Sequence, residues 1–468
     1  MKKNMFFLVC LLLFNTGITA QIDIEKVKAI DSLFLDWNKP NHPGGAVGIM
    51  KEGKLVYSKA FGLASLEYLV PNAPGTRFNI ASISKQFTAL AIVKLHLEGK
   101  LSIDNDIRDY LPELPDFGYK ITCRHMLHHT SGLRSLHLML SLAGWRGDDA
   151  RNNDDLLRFM TKQKDLNFEP GSEYMYCNTG YILMAIIVER LTGDNFADWM
   201  KREVFIPLGM YDTYVEDRYN RVVKNNATSY NETAEGFMRE VEYWGYTGSG
   251  NIHSSIKDIL KWYRYYYDAP SGWQDAFGMM LTTDPFNDGS HNKYAFGVNV
   301  EEYLGEKRIS HSGSIGGYRA YAATFPDKEI EYVVLTNFSS SNSGGKADRI
   351  ASILLDKVIP GRPAAERTGE IKEFKVSESM LNNIAGDYWS AELETIYRFY
   401  LKDGKLYGFH NRHGEFELIA KDRNIFETQG GPVSKIEILY DKSGKVSGMY
   451  FTNSRVRNLE MTKLNIKL

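Results

Sequence analysis

Three cysteines in 468 residues are too few for a disulfide framework, and none stands at a metal-ligand spacing. Charge of one sign is also missing. The formal net charge of −2 offers no basic surface to a phosphate backbone, which argues against nucleic acid as the main partner. The chain has no low-complexity tract, no long charge run and no repeat at solenoid or propeller period. The apolar run nearest the N-terminus, Met5 to Phe14, is too short to span a bilayer comfortably. What is present is 43% hydrophobic content, ordinary for a globular protein and enough for two or three domains with a large core.

Lys2 and Lys3, the run to Phe14 and small residues up to Ala20 follow the three-part pattern of a secretory signal peptide over residues 1–20. An uncleaved anchor is the alternative. Cys10 lies inside the apolar run with no small residues before it, which disfavours a lipoprotein cleavage site. Cleavage after Ala20 leaves an exported chain, periplasmic or secreted, without an integral membrane span. It also leaves two cysteines, Cys123 and Cys177, either paired or as buried free thiols.

Apolar spacing predicts an amphipathic helix over 24–38, stopped by Pro40 and Pro43. Two apolar runs around Glu52-Gly53-Lys54 read as a β-hairpin. Ser82 to Leu97 reads as a strongly apolar helix ending at Gly99. Helix and loop dominate 100–260. From Tyr294 four runs rich in Val, Ile, Tyr and Phe form an antiparallel meander to about residue 338, and a helix near 344–358 closes the unit. The expected architecture is α+β. An antiparallel sheet takes its strands from both ends of a domain over 21–360, with helices flanking it and a mainly helical subdomain inserted. A linker over 361–375 leads to a small all-β, barrel-like domain over 376–468.

Chemistry enters at "FNIASISKQF". Serine is a poor nucleophile without an adjacent base. A lysine three residues on shares its helix face and accepts a proton once burial lowers its pKa. Ser-x-x-Lys occurs four times, at Ser82, Ser254, Ser290 and Ser343. Only Ser82 and Lys85 combine a helix start with an apolar helix that a core would hold rigid. Ser84 has no lysine at that offset and is assigned to packing. Tyr176-Cys177-Asn178 supplies a phenol for acid–base work and an amide for a substrate carbonyl. His311-Ser312-Gly313 lies on a strand, where glycine admits a substrate backbone and the two side chains face an acyl or carboxylate group. The histidines of "CRHMLHHTSG" (His125, His128, His129) lack the set needed for a metal site and read as structural. The aromatic run 262–273 reads as helix flank and loop packing, with lining a cleft as the alternative, and "WGYTGSGN" at 244–251 is a candidate to border a cleft.

Ser-x-x-Lys, Tyr-x-Asn and His-Ser-Gly in this order resemble the serine β-lactamase and penicillin-binding-protein-like superfamily. The nearest resemblance is to its class C β-lactamase, DD-peptidase, D-aminopeptidase and esterase group. It covers roughly 25–358, with "ITCRHMLHHTSGL", "EGKLSIDNDIRDYLPELP" and "GSGNIHSSIKDILKW" as framework segments. It implies a β-lactamase/transpeptidase-like fold, no cofactor and no metal, and a small molecule or short peptide as substrate. Ser82 matches the acylated nucleophile, Lys85 its base partner and Tyr176 the general base or acid. Asn178 matches the amide contact, and His311, Ser312 and Gly313 the third motif. The backbone N–H groups of Ser82 and Ser314 match the oxyanion hole. Class C β-lactamases carry lysine where this chain has His311. A histidine half-charged near neutrality there points to DD-peptidases, D-aminopeptidases and esterases, and predicts that activity on carboxylate-bearing substrates falls as His311 deprotonates. The expectation is an exported serine hydrolase acting on an amide or ester. Alternatives are a β-lactamase, or a non-catalytic penicillin-binding or sensor protein. Cys177, between Tyr176 and Asn178, raises the further expectation of redox-sensitive activity.

Overall fold

The computed structural model describes residues 22–360 and 374–465. The signal-peptide segment 1–20 and linker residues 361–373 lie outside the described residues.

A six-stranded antiparallel sheet forms the spine of the first domain. From one edge its strands are Asn299–Tyr303, Glu306–Ile315, Tyr318–Phe325, Ile330–Thr336, Gly45–Lys51 and Lys54–Phe61. The N-terminal hairpin therefore joins the last strand of the meander, with Gly45 opposite Thr336 and Lys51 opposite Ile330. That pairing brings the two ends of the domain together and sends the chain between Phe61 and Asn299 out as a mainly helical insertion. The strand Ile330–Thr336 is buried at every position because both faces of the sheet are covered, and its one charged residue, Glu331, accepts hydrogen bonds from Tyr267 and Thr324. Helix Ile256–Arg264 packs on one face, and Ser343–Leu355 with Ile24–Ser32 on the other.

The predicted helix over 24–38 ends at Ser32, and a single 3₁₀ turn, Leu35–Trp37, follows. The break lets Phe34 and Trp37 turn inward as an edge-to-face pair 4.8 Å apart. The helix predicted near 344–358 runs from Ser343 to Leu355, where Asp356 takes a left-handed conformation. Helices Lys85–Leu97 and Asn178–Thr192 are buried on every side over most of their length, and the exposed residue of each, Leu97 and Arg190, lies in its last turn. Among the described residues no helix is long and apolar enough to cross a membrane.

The C-terminal domain is a closed barrel of eight antiparallel strands between Gly386 and Lys463, preceded by the helix Glu378–Ile384. Closure removes the exposed edges that a hairpin array would otherwise present. Met139 and Leu142, from the insertion helix Leu136–Leu142, belong to the barrel's apolar core. The Tyr397 hydroxyl donates to the Leu142 carbonyl at 2.7 Å. Arg134 and Glu392 pair at 2.6 Å across the junction, 1% and 2% exposed. The two domains are thus joined by an apolar contact with a buried ion pair inside it.

Candidate active site

Ser82 does not open the long helix directly. Residues Ala81–Ser84 form a 3₁₀ turn, and the α-helix begins at Lys85. Three residues per turn place positions i and i+3 in line, so Lys85 sits directly over Ser82. Its Nζ lies 3.2 Å from Ser82 Oγ and donates to the Ser249 carbonyl at 2.7 Å. Ala81 has φ of 50°, left-handed for a residue with a Cβ, and its N–H is held by Asn79 Oδ1 at 2.9 Å. Backbone strain of this kind persists only where the surroundings fix it. They do here. Gln86 bridges Trp262, Tyr263 and Tyr266 at 2.7–2.8 Å, and Thr88 donates to the Gly248 carbonyl. The aromatic run 262–273 therefore packs against the Ser-Lys helix from behind, in line with its reading as helix flank and loop packing. Ser84 is fully buried and its Oγ accepts from the Ile252 N–H at 3.1 Å.

Lys85 is fully buried and, among the described residues, has no carboxylate beside it. Burial, and then the positive charge of Arg455, hold its pKa well below the ordinary 10.5. That favours the neutral amine, which accepts a proton. The Nζ also lies over the Tyr176 ring, 4.8 Å from its centroid. The Tyr176 hydroxyl is buried and makes no hydrogen bond of normal geometry. Burial raises its pKa above 10, while the adjacent Ser82 hydroxyl and Arg455 pull it back. At neutral pH Tyr176 is a proton donor. Asn178 begins its helix with Oδ1 buried and unpartnered.

His129 positions this segment. Its Nδ1 accepts from the Cys177 N–H at 3.1 Å, and its ring lies 4.2 Å from that of Tyr176. His125 completes a capping box with Thr122, and His128 bonds the Tyr294 carbonyl and Asp284. Among the described residues no cluster of metal-ligating side chains occurs. Cys123 and Cys177 are free and buried, and burial raises both thiol pKa values. A buried thiol with a raised pKa is inert, which corrects the expectation of redox sensitivity at Cys177.

On the strand Glu306–Ile315, Ser312 and Ser314 face outward into the cleft while Gly313 is buried. The glycine is needed on the other side: a Cβ there would stand 2.3 Å from the Ile80 carbonyl, in the turn that carries Ser82. It admits the nucleophile's own backbone, not a substrate's. His311 departs further from expectation. The Tyr294 hydroxyl, its pKa raised well above 10 by burial, donates to His311 Nε2 at 2.9 Å. The remaining ring N–H, Nδ1, then donates to the Ser312 carbonyl at 2.6 Å. Both nitrogens are engaged in one neutral tautomer. Burial, and then Lys85, push the pKa down to about 3. His311 is therefore not half-charged near neutrality, and the expected pH-dependent cation is absent from its position.

Two cavities meet at Ser82, Asn178 and Ser314. One, of about 370 Å³, is bordered by His137, Trp145, Trp244 and Tyr246, so the segment 244–251 does line the cleft. The other, of about 550 Å³, holds Tyr176, Tyr294, His311, Ser312 and Arg455. Tyr294 and Arg455 carry no sequence signal for the site. Tyr294 precedes a strand without any motif, and Arg455 lies in a barrel hairpin far down the chain.

The Beta-lactamase family model matches residues 30–357. The chain belongs to this family and is a serine hydrolase of the β-lactamase and penicillin-binding-protein type. It is 27% identical to penicillin-binding protein 4* of Bacillus subtilis over 89% of this chain and 97% of that one. It is 26% identical to D-aminopeptidase of Gluconobacter oxydans over 70% of this chain and 62% of that protein. The octameric penicillin-binding protein homologue from Pyrococcus abyssi superposes with a TM-score of 0.63 at 25% identity, over 94% of this chain and all of that one.

Proposed function

We propose that the protein is an exported serine hydrolase that forms an acyl-enzyme at Ser82 on an amide substrate of peptidase type. The observation that carries this reading is Lys85: fully buried, 3.2 Å from Ser82 Oγ, and with its pKa pushed down. Neutral Lys85 takes the Ser82 proton as Oγ bonds to the substrate carbonyl carbon. The developing oxyanion is held by the backbone N–H groups of Ser82 and Ser314. As the scissile bond breaks, the Tyr176 hydroxyl protonates the leaving nitrogen and recovers a proton from the Lys85 ammonium. Lys85 and Arg455 stabilise the transient phenolate by charge. Water then enters by the same proton path in reverse and releases the acid. Asn178 Oδ1, buried and unpartnered, accepts from the substrate amide N–H, and Ser312 borders the leaving-group side of the cleft.

The test is turnover of a panel: D-amino-acid amides, D-Ala-D-Ala peptides, short-chain p-nitrophenyl esters and a chromogenic cephalosporin. Hydrolysis of an amide or peptide, lost in Ser82→Ala, supports the reading. Turnover of the cephalosporin alone would replace it with a β-lactamase, and labelling without turnover of any substrate with a binding protein.

A further inference from the structure

The larger cavity contains one charged group, and it comes from the other domain. Arg455 sits in the turn between strands Val446–Asn453 and Val456–Lys463 of the barrel. Its guanidinium lies 5.0 Å over the Tyr176 ring. Among the described residues its side chain has no ion-pair partner, and no carboxylate lines the cavity.

The position of Arg455 is set from the hydrolase domain through its backbone. The Ser135 N–H and the Asn167 side-chain amide both donate to the Arg455 carbonyl at 3.1 Å. Asn167 Oδ1 accepts from the Arg457 N–H at 2.8 Å, and buried Arg134 reaches the Arg457 carbonyl at 3.1 Å. With Lys85 held toward its neutral form, the Arg455 guanidinium faces the cavity without a countercharge among the described residues, and an anionic ligand group supplies one. His311 on the opposite wall is neutral, so Arg455 is the fixed positive charge in this half of the cleft.

Which end of a substrate meets it follows from Tyr176. That phenol borders the larger cavity and not the smaller one, and in the reading above it protonates the leaving nitrogen. The leaving group therefore lies beside Arg455, and the acyl portion lies against Trp145, Trp244 and Tyr246. We propose that Arg455 is a specificity-determining residue that binds a carboxylate on the leaving group, so that the barrel selects peptides with a free C-terminus. The inference rests on the Ser82 reading and deepens it. The reaction is then removal of a C-terminal residue. An amide without a carboxylate on its leaving side is a poorer ligand.

Binding is read by the protection of Ser82 from a fluorophosphonate label, with N-acetyl-D-Ala-D-Ala and its C-terminal amide as competitors. The free acid is expected to compete at least ~10-fold better than the amide, as a charge-assisted contact gives. Arg455→Gln brings the two within ~3-fold of each other, and Arg455→Lys restores part of the difference. Melting temperatures of both variants check that the turn, held by backbone bonds, is intact. Equal competition by acid and amide in the wild type overturns the proposal. So does equal weakening of both by Arg455→Gln, which would mean that Arg455 acts only through Lys85 and Tyr176. Labelling without competitor reports the nucleophile separately: if the label misses Ser82 in the wild type, the Ser82 reading fails first.

Discussion

Arg134 and Glu392 meet at 2.6 Å in the seam between the domains, and neither has more than 2% of its side chain exposed. The pair ties the barrel to the segment that leads into the cleft, because Arg134 also holds the Arg457 and Asn458 carbonyls. Removing one partner leaves a buried charge uncompensated. Glu392→Ala is expected to cost about 3–5 kcal/mol in urea unfolding, and the double change Arg134→Met with Glu392→Leu much less. A single change that costs under about 1 kcal/mol would show that the seam is wet.

Lys85→Met tests the opposite balance. It replaces a buried amine that has no countercharge, so the folded protein gains about 1–3 kcal/mol. Sign follows from linkage: a base with a lowered folded pKa binds fewer protons folded than unfolded, so its contribution disfavours folding below 10.5. Acylation of Ser82 falls by about 10²–10⁴-fold in the same variant. Chemical denaturation and stopped-flow labelling read the two effects separately.

Tyr176→Phe removes a buried hydroxyl that makes no hydrogen bond of normal geometry. Stability is therefore expected to hold within about 0.5 kcal/mol or rise, while amide turnover drops by about 10²–10⁴-fold. Loss of both together would assign the phenol a structural role.

The state of His311 predicts a shape. With its pKa near 3 it stays neutral from pH 5.5 to 8. Substrates with and without a carboxylate should give parallel kcat/KM profiles over that range. A limb seen only with the carboxylate substrate would mean that His311 titrates there.

Acid stability has a calculable sign. Burial lowers His137, His253 and His311 to about 3 and His410 to about 4. Below 6.5 the unfolded chain thus binds more protons than the folded one, and stability falls with pH. Glu216, Glu242 and Glu331, raised to about 7 by burial, oppose this between their ordinary 4.5 and 7. Below about pH 4.5 they are protonated in both states and the opposition ends. Urea midpoints should slope gently from pH 6.5 to 4.5 and then fall steeply, by up to about 1.4 kcal/mol per unit for each histidine. No loss down to pH 3 would contradict the buried neutral histidines.

What was legible in the chain follows sequence distance. Ser82 and Lys85 are three residues apart on one turn, and Tyr176 and Asn178 two apart at a helix start, so local geometry exposes them. The meander and the barrel hairpins show as alternating runs broken by turns. Arg455, Tyr294 and His129 were not legible as site residues, because each reaches the cleft through contacts between distant segments. Gly313 reads from the sequence as a substrate-facing glycine, but its partner is the Ile80 carbonyl, which only the folded sheet brings near. The neutrality of His311 likewise depends on burial that only the folded sheet supplies, and its Nε2 partner, Tyr294, is seventeen residues away.

The central claim is the acyl bond at Ser82. Intact-mass and peptide-mass measurement after fluorophosphonate treatment tests it most directly. The account predicts one adduct, on the peptide that contains Ser82, and none in Ser82→Ala. An adduct of the same mass that persists in Ser82→Ala would contradict it.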